Sequence, residues 1–217
     1  MRIGDRDHVP GRAGDRTGKG RHLAGRHLVR AAAWTAGAAV VAAGGYAGLV
    51  SGALSADLGV GRRVRPLGPQ TVDIAARPEL VFDVIAQPYL GRATRAMRRK
   101  VQVLERGSDM VLAAHVTPLG GRLKAVTVET VRFTRPWRVD FRLVRGPVPH
   151  VVESFTLTEQ AAGTRSDTRL VYEGELGTDL WRAGARWGAA VARRWEETVA
   201  ASLASVKAEA EHRAARS

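Results

Sequence analysis

The sequence predicts an α+β domain, a seven-stranded antiparallel sheet closed by a long C-terminal helix, with one membrane-spanning helix ahead of it. Three observations predict this. Six stretches between residues 100 and 177 alternate apolar and polar side chains and are separated by Gly- and Pro-containing turns, the mark of sequential hairpins. From Thr178 to about residue 212 the apolar residues instead recur at helical spacing. Between Ala31 and Leu54 there is no charged residue at all.

Composition narrows the function classes. The 217 residues are 45% hydrophobic, enough for one ordinary core with appendages. No cysteine is present, which removes disulfides and thiolate metal or redox chemistry. The formal net charge of +13 would suit a nucleic-acid partner. Arginine supplies nearly all of it, however, with lysine only at 19, 100, 124 and 207, and abundant Ala, Gly and Val point to a compositional bias. Nucleic acid is therefore not expected as a partner. Neither a Gly-rich phosphate loop, a metal-spaced His cluster nor a G-x-S-x-G serine elbow occurs, so no cofactor, metal or catalytic nucleophile is expected.

In chain order, residues 1–30 form a basic tail too poor in apolar side chains to order itself. Residues 31–54 are long and uncharged enough to span a bilayer as a helix. The competing reading is a signal peptide cut before Ala56, after the small-x-small site Ala53-Leu54-Ser55. Arg16, Lys19, Arg21, Arg26 and Arg30 on the amino side outnumber Arg62, Arg63 and Arg65 on the other, which places the domain outside the cytoplasm. Gly44, Gly48 and Gly52 share one face of such a helix and would allow a homodimer. Residues 55–68, with Gly59, Gly61, Pro66 and Gly68, read as a linker.

The domain proper starts at 69. Thr71–Ala75 reads as a strand, Pro78 suits a first helical position for a helix over 78–86, and a second helix is expected at 89–98. Its arginines, with Lys100, read as a solvated face. The six strands are expected at 100–107, 109–117, 122–133, 137–145, 150–160 and 166–177, and the final helix after an N-cap at Thr178 or Asp179.

This order resembles the helix-grip superfamily, the START-like or SRPBCC proteins that include polyketide cyclases and lipid-transfer domains. The stretch Val72-Asp73-Ile74-Ala75-Ala76-Arg77-Pro78-Glu79-Leu80-Val81-Phe82-Asp83-Val84-Ile85 is similar to the family's opening strand, turn and first helix. The resemblance implies a curved sheet wrapped around the last helix, with a cavity between them. It implies no catalytic residue.

Within the strands, one parity is apolar and should face inward: Ala125, Thr127, Glu129, Val131, Phe133; Trp137, Val139, Phe141, Leu143; Val151, Glu153, Phe155, Leu157; Leu170, Tyr172, Gly174, Leu176. Two carboxylates interrupt it. Turns centred on Arg135 and on 146–149 would put Glu129 and then Glu153 beside Phe141, and a turn centred near 120 would pair His115 with Ala125 on the same face. Buried carboxylates need partners or a proton, which makes Glu129, Glu153 and His115 candidate site residues. Phe141, Phe155, Tyr172, Trp187 and Trp195 are expected to line the cavity, and Gly184 and Gly188 to leave room beneath the helix. A structural hydrogen bond for each carboxylate, and ordinary core for the tryptophans, are the alternatives.

Three functions fit: a membrane-tethered, non-enzymatic binder of an apolar molecule or lipid; a cyclase- or dehydratase-like enzyme with a glutamate as acid or base; or a ligand-free interaction module. The binder is preferred. Strand direction places the turns 118–121 and 146–149 and the linker's entry at one end of the sheet, and these uncharged loops are expected to meet the bilayer there.

Overall fold

A computed structural model describes residues 44–55, 57–91, 93–120, 123–162 and 165–216. The tail and most of the 31–54 segment lie outside the described residues. Strand β1 (Arg63–Ile74) leads into helix α1 (Pro78–Leu90) and the short α2 (Arg95–Lys100). Six strands follow in sequence: β2 (Val101–Arg106), β3 (Met110–Gly120), β4 (Leu123–Thr134), β5 (Arg138–Arg145), β6 (His150–Ala162) and β7 (Arg165–Thr178). Helix α3 (Trp181–Ala214) ends the chain. All pairings are antiparallel, and the sheet order is β1-β7-β6-β5-β4-β3-β2. Among the described residues no helix is long and apolar enough to cross a membrane.

The core lies between the inner sheet face and the two long helices. Val111, Val131, Val139, Leu157, Leu170 and Leu176 from the strands meet Val81, Phe82 and Ile85 of α1 and Ala192, Val199 and Leu203 of α3. Helix α3 also covers the outer edge of β1. Glu196 Oε1 accepts from the Gly68 amide at 3.2 Å, Glu211 Oε1 accepts from the Ala75 amide at 3.0 Å, and Lys207 donates to the Asp73 carbonyl at 2.5 Å.

Several local expectations are corrected. Residues 63–68 are strand rather than linker, because Arg63 to Leu67 pair with Thr178 to Gly174 of β7 and Leu67 is buried. Helix α1 runs on to Leu90, and α2 starts only at Arg95, where the Thr94 hydroxyl caps it by accepting from the Met97 amide. Asp179 does not cap α3. Its carboxylate instead accepts from the amides of Leu58 (2.7 Å) and Gly59 (2.9 Å) and from Arg62 (2.9 Å), which clasps the preceding segment to the helix start.

The hairpin registers also differ. The β4–β5 turn holds three residues, Thr134 facing Arg138, so Phe141 pairs with Val131 and Glu129 with Leu143. Strand β3 extends through an irregularity between Pro118 and Gly120, so His115 faces Thr127 rather than Ala125. Both slips move partners by two positions, which preserves the face of each side chain. Trp137, expected inside, sits in the turn and is 45% exposed. Val148, expected at an outward loop tip, is 2% exposed, because its turn folds back so that Trp187 Nε1 donates to the Pro147 carbonyl at 2.9 Å.

The glycines are reassigned too. The helical residues 44–50 stop at Val50, and Gly52 turns at φ +71, where a Cβ would stand 2.1 Å from the Val126 carbonyl oxygen. Gly52 thus packs on β4 and does not extend a helix face with Gly44 and Gly48. Neither Gly184 nor Gly188 opens space: a Cβ at Gly184 would come within 1.5 Å of the Asp179 carbonyl oxygen in the connection ahead of α3, and one at Gly188 within 2.9 Å of Thr178 Cγ2 on β7.

A glycine-to-alanine change inside a helix normally stabilises by up to about 1 kcal/mol. Gly184→Ala should do the opposite and destabilise the domain by about 2 kcal/mol, because the first turn of α3 must move off the Asp179 carbonyl. Denaturant midpoints of the two proteins measure the sign directly.

Candidate functional site

The inner face carries two polar groups set among aromatic rings. The first joins three elements: Glu129 on β4, His115 on β3 and Tyr89 near the end of α1. His115 Nδ1 lies 2.9 Å from Glu129 Oε2, and its Nε2 lies 2.9 Å from the Tyr89 hydroxyl oxygen. Burial opposes the charge on Glu129, but His115 and the Thr127 hydroxyl outweigh it and hold the carboxyl below its usual range. Burial likewise opposes the charge on His115, and Glu129 outweighs it and raises the imidazole. Each shift has the sign of an ion pair. An imidazolium donates from both nitrogens, so Nε2–H points at the Tyr89 oxygen and leaves the tyrosine O–H free to donate elsewhere. Burial and the nearby Glu129 and Glu153 keep Tyr89 firmly protonated.

The second group is centred on Glu153 of β6. Its Oε2 accepts from the Tyr172 hydroxyl on β7 at 2.8 Å and from Trp195 Nε1 on α3 at 2.7 Å. Both donors share this one oxygen. Burial first, and then the charge on Glu129, push the carboxyl up to about 7 against the two donors. Glu153 is thus held towards its protonated form relative to an ordinary glutamate.

Rings connect the two groups. Phe141 lies 6.1 Å from Tyr89, 6.2 Å from His115 and 5.6 Å from Phe155, centroid to centroid, and Phe155 lies 5.3 Å from Tyr172. Phe133, Leu143, Phe155, Trp187, Val191 and Trp195 adjoin the core but are only partly buried, unlike Val131, Val139 and Leu176 around them. At the other end of this row Tyr46 meets the Trp187 ring edge-on at 6.0 Å.

All eight candidates, Glu129, Glu153, His115, Phe141, Phe155, Tyr172, Trp187 and Trp195, lie on this inner side, with the polar ones in two clusters. Tyr89 was missed: it sits near the end of a helix whose length the sequence understated, and its partner His115 is distant in the chain. Parity could have supplied Tyr172 as the partner of Glu153 through Phe155.

The family model for polyketide cyclase / dehydrase and lipid transport matches residues 69–211. The chain belongs to this family. No curated protein matches it. Among solved structures, the Zhui aromatase/cyclase from Streptomyces sp. R1128 is similar at 20% identity with a TM-score of 0.52, over 70% of this chain and 95% of that one. A START superfamily protein from Mycobacterium smegmatis follows at 15% identity and TM-score 0.41, over 70% and 97% of the two chains. At 20% identity the likeness to the Zhui protein establishes the fold alone.

Two titrations check the site. A carboxyl raised on folding contributes stability that is full below its ordinary value and is lost as pH rises through its folded value. Melting temperature should therefore fall between pH 4.5 and about 7, and Glu153→Gln should flatten that part of the curve. His115 should titrate above an ordinary histidine by NMR, and in Glu129→Gln it should drop, because the carboxylate that does most to support its charge is gone while burial still opposes it.

Proposed function

We propose that this domain is tethered to a membrane and binds an apolar molecule with a carbonyl or hydroxyl end in the space between the sheet and α3. One observation carries the reading: apolar side chains on the inner side, Phe155, Trp187 and Trp195 among them, are left half-covered, and Trp195 bonds a carboxyl buried in the same face, Glu153. A filled core would close over those side chains. The aromatic row from Phe141 to Phe155 and Trp195 gives the apolar part of a ligand its contact. The Tyr89 hydroxyl, held by the His115–Glu129 pair, and a protonated Glu153 offer donors to its oxygen. The family description, which includes lipid transport, supports this use of the fold.

A second reading, an enzyme of the cyclase or dehydratase kind, is favoured by the Glu153 carboxyl at about 7 beside the imidazolium of His115. A group of that pKa can give and take back a proton at neutral pH. The Zhui protein is named as an aromatase/cyclase, which supports the same reading.

The full chain, purified from a lipid extract and analysed by mass spectrometry, should carry a bound apolar compound. Conversion of that compound by the chain would favour the enzyme. Against a fluorescent apolar probe that carries a carbonyl, Tyr89→Phe and Glu153→Met should each weaken binding about five-fold, the loss of one ordinary hydrogen bond. Unchanged affinity with a lowered melting temperature would mark the two residues as structural. The tether is checked by fractionation: the chain should stay with membranes in high salt, and release by salt alone would mean peripheral attachment.

A further inference from the structure

The end of the domain where α3 begins carries an apolar surface that the ligand site does not use. Leu58, Val60, Leu180 and Trp181 are 47–56% exposed. They are neighbours by construction: the Leu180 amide donates to the Val60 carbonyl at 2.9 Å, the Trp181 amide donates to the Gly61 carbonyl at 3.1 Å, and Asp179 holds the Leu58 and Gly59 amides. The Trp181 ring lies over Gly61, where a Cβ would come within 2.4 Å of it.

Backbone cost points the same way. Leu180 and Trp181 have φ values of 64° and 46°, a left-handed conformation that large side chains rarely adopt. Such strain persists only where surrounding contacts enforce it, and here the enforcing contacts push two large apolar side chains into solvent rather than into the core.

We infer that Leu58, Val60, Leu180 and Trp181 form a docking face that seats this end of the domain in the headgroup layer of an anionic lipid bilayer. The inference rests on the membrane tether of the proposed function and adds to it an orientation and a surface. Charge selects lipid over other occupants. Arg62, Arg63, Arg65, Arg182 and Arg186 flank the four residues, while the acids of the clasp, Asp57 and Asp179, both pair with Arg62, and Glu175, opposite Pro66, pairs with His150. The other four arginines are exposed and make no ion pair with the described residues. Arginines around a tryptophan and aliphatic tips match the phosphates and upper acyl chains of an interface. The chain also reaches this face directly from the uncharged run that ends at Leu54. The apolar tip is thus at the clasp, not at the turn of Val148.

The chain has no native cysteine, so single labels are unique. Environment-sensitive fluorophores at Val60→Cys, Leu180→Cys and, at the opposite end of the sheet, Ser108→Cys would be placed on the full chain in vesicles of phosphatidylcholine and phosphatidylglycerol. Nitroxide-bearing lipids should quench the labels at 60 and 180 several-fold more than the label at 108, and aqueous iodide should show the reverse order. A chain that floats with the vesicles but shows equal lipid quenching at all three positions overturns the docking face and leaves the tether standing. A chain that does not float at all overturns both. Labels at 60 and 180 shielded from iodide without lipid quenching would mean that protein, such as a second copy, covers the face, and would equally overturn the lipid assignment.

Discussion

Burying Glu129 and Glu153 on one face of a sheet is the constraint around which the interior is arranged. Isolated carboxylates in such a place would cost several kcal/mol each, and two of one sign raise the cost of both. The chain meets the problem in two different ways. Glu129 keeps its charge and acquires a counter-ion, His115, together with the Thr127 hydroxyl. Glu153 is bonded by the neutral donors Tyr172 and Trp195, and burial and the Glu129 charge outweigh them and the more distant pull of His115, so it answers with a raised pKa. The difference leaves one ion pair and one carboxyl of raised pKa on the same ring-lined face.

Those solutions tie distant parts of the fold together. The His115 ring is fixed by β4 on one side and by α1 on the other, through Tyr89. Glu153 is fixed by β7 and by α3. Sheet and both long helices thus converge on two carboxyls, and each polar contact crosses an interface that the apolar core already holds. A polar network placed this way adds specificity of arrangement to packing that is largely non-directional.

Much of this was legible in the sequence because period-two alternation reports the face of a side chain directly. Glu129, Glu153 and His115 were assigned to the inner face by parity alone. Parity is insensitive to a slip of two, which is why the faces were right while the partners of Glu129 and His115 were not. The slips arose in turns, at Arg135-Pro136-Trp137 and at Pro118–Gly120, where an extra residue changes the register without changing composition. The role of Asp179 was hidden for another reason. A residue before a helix reads as a cap by local rules, and only the tertiary approach of Leu58, Gly59 and Arg62 shows that its carboxylate faces away from the helix. Glycines at 184 and 188 fit either a void or a close contact, and only geometry separates the two.

The length of α3 has a consequence unrelated to any ligand. Its first half presents Trp187 and Trp195 to the interior, yet the helix continues to Ala214. Along that second half, Glu211 and Lys207, with Glu196 before them, bind the amides and a carbonyl of β1 that no neighbouring strand claims. An open strand edge is a template for pairing with another chain, and covering it is one of the ways β proteins avoid aggregation. The opposite border, β2, is only six residues long and carries Gln102, Glu105 and Arg106, a second means to the same end. The tail of α3 is therefore a guard for the sheet: fraying it would bare a sticky backbone edge at the same time as it uncovered Leu203 and Ala210.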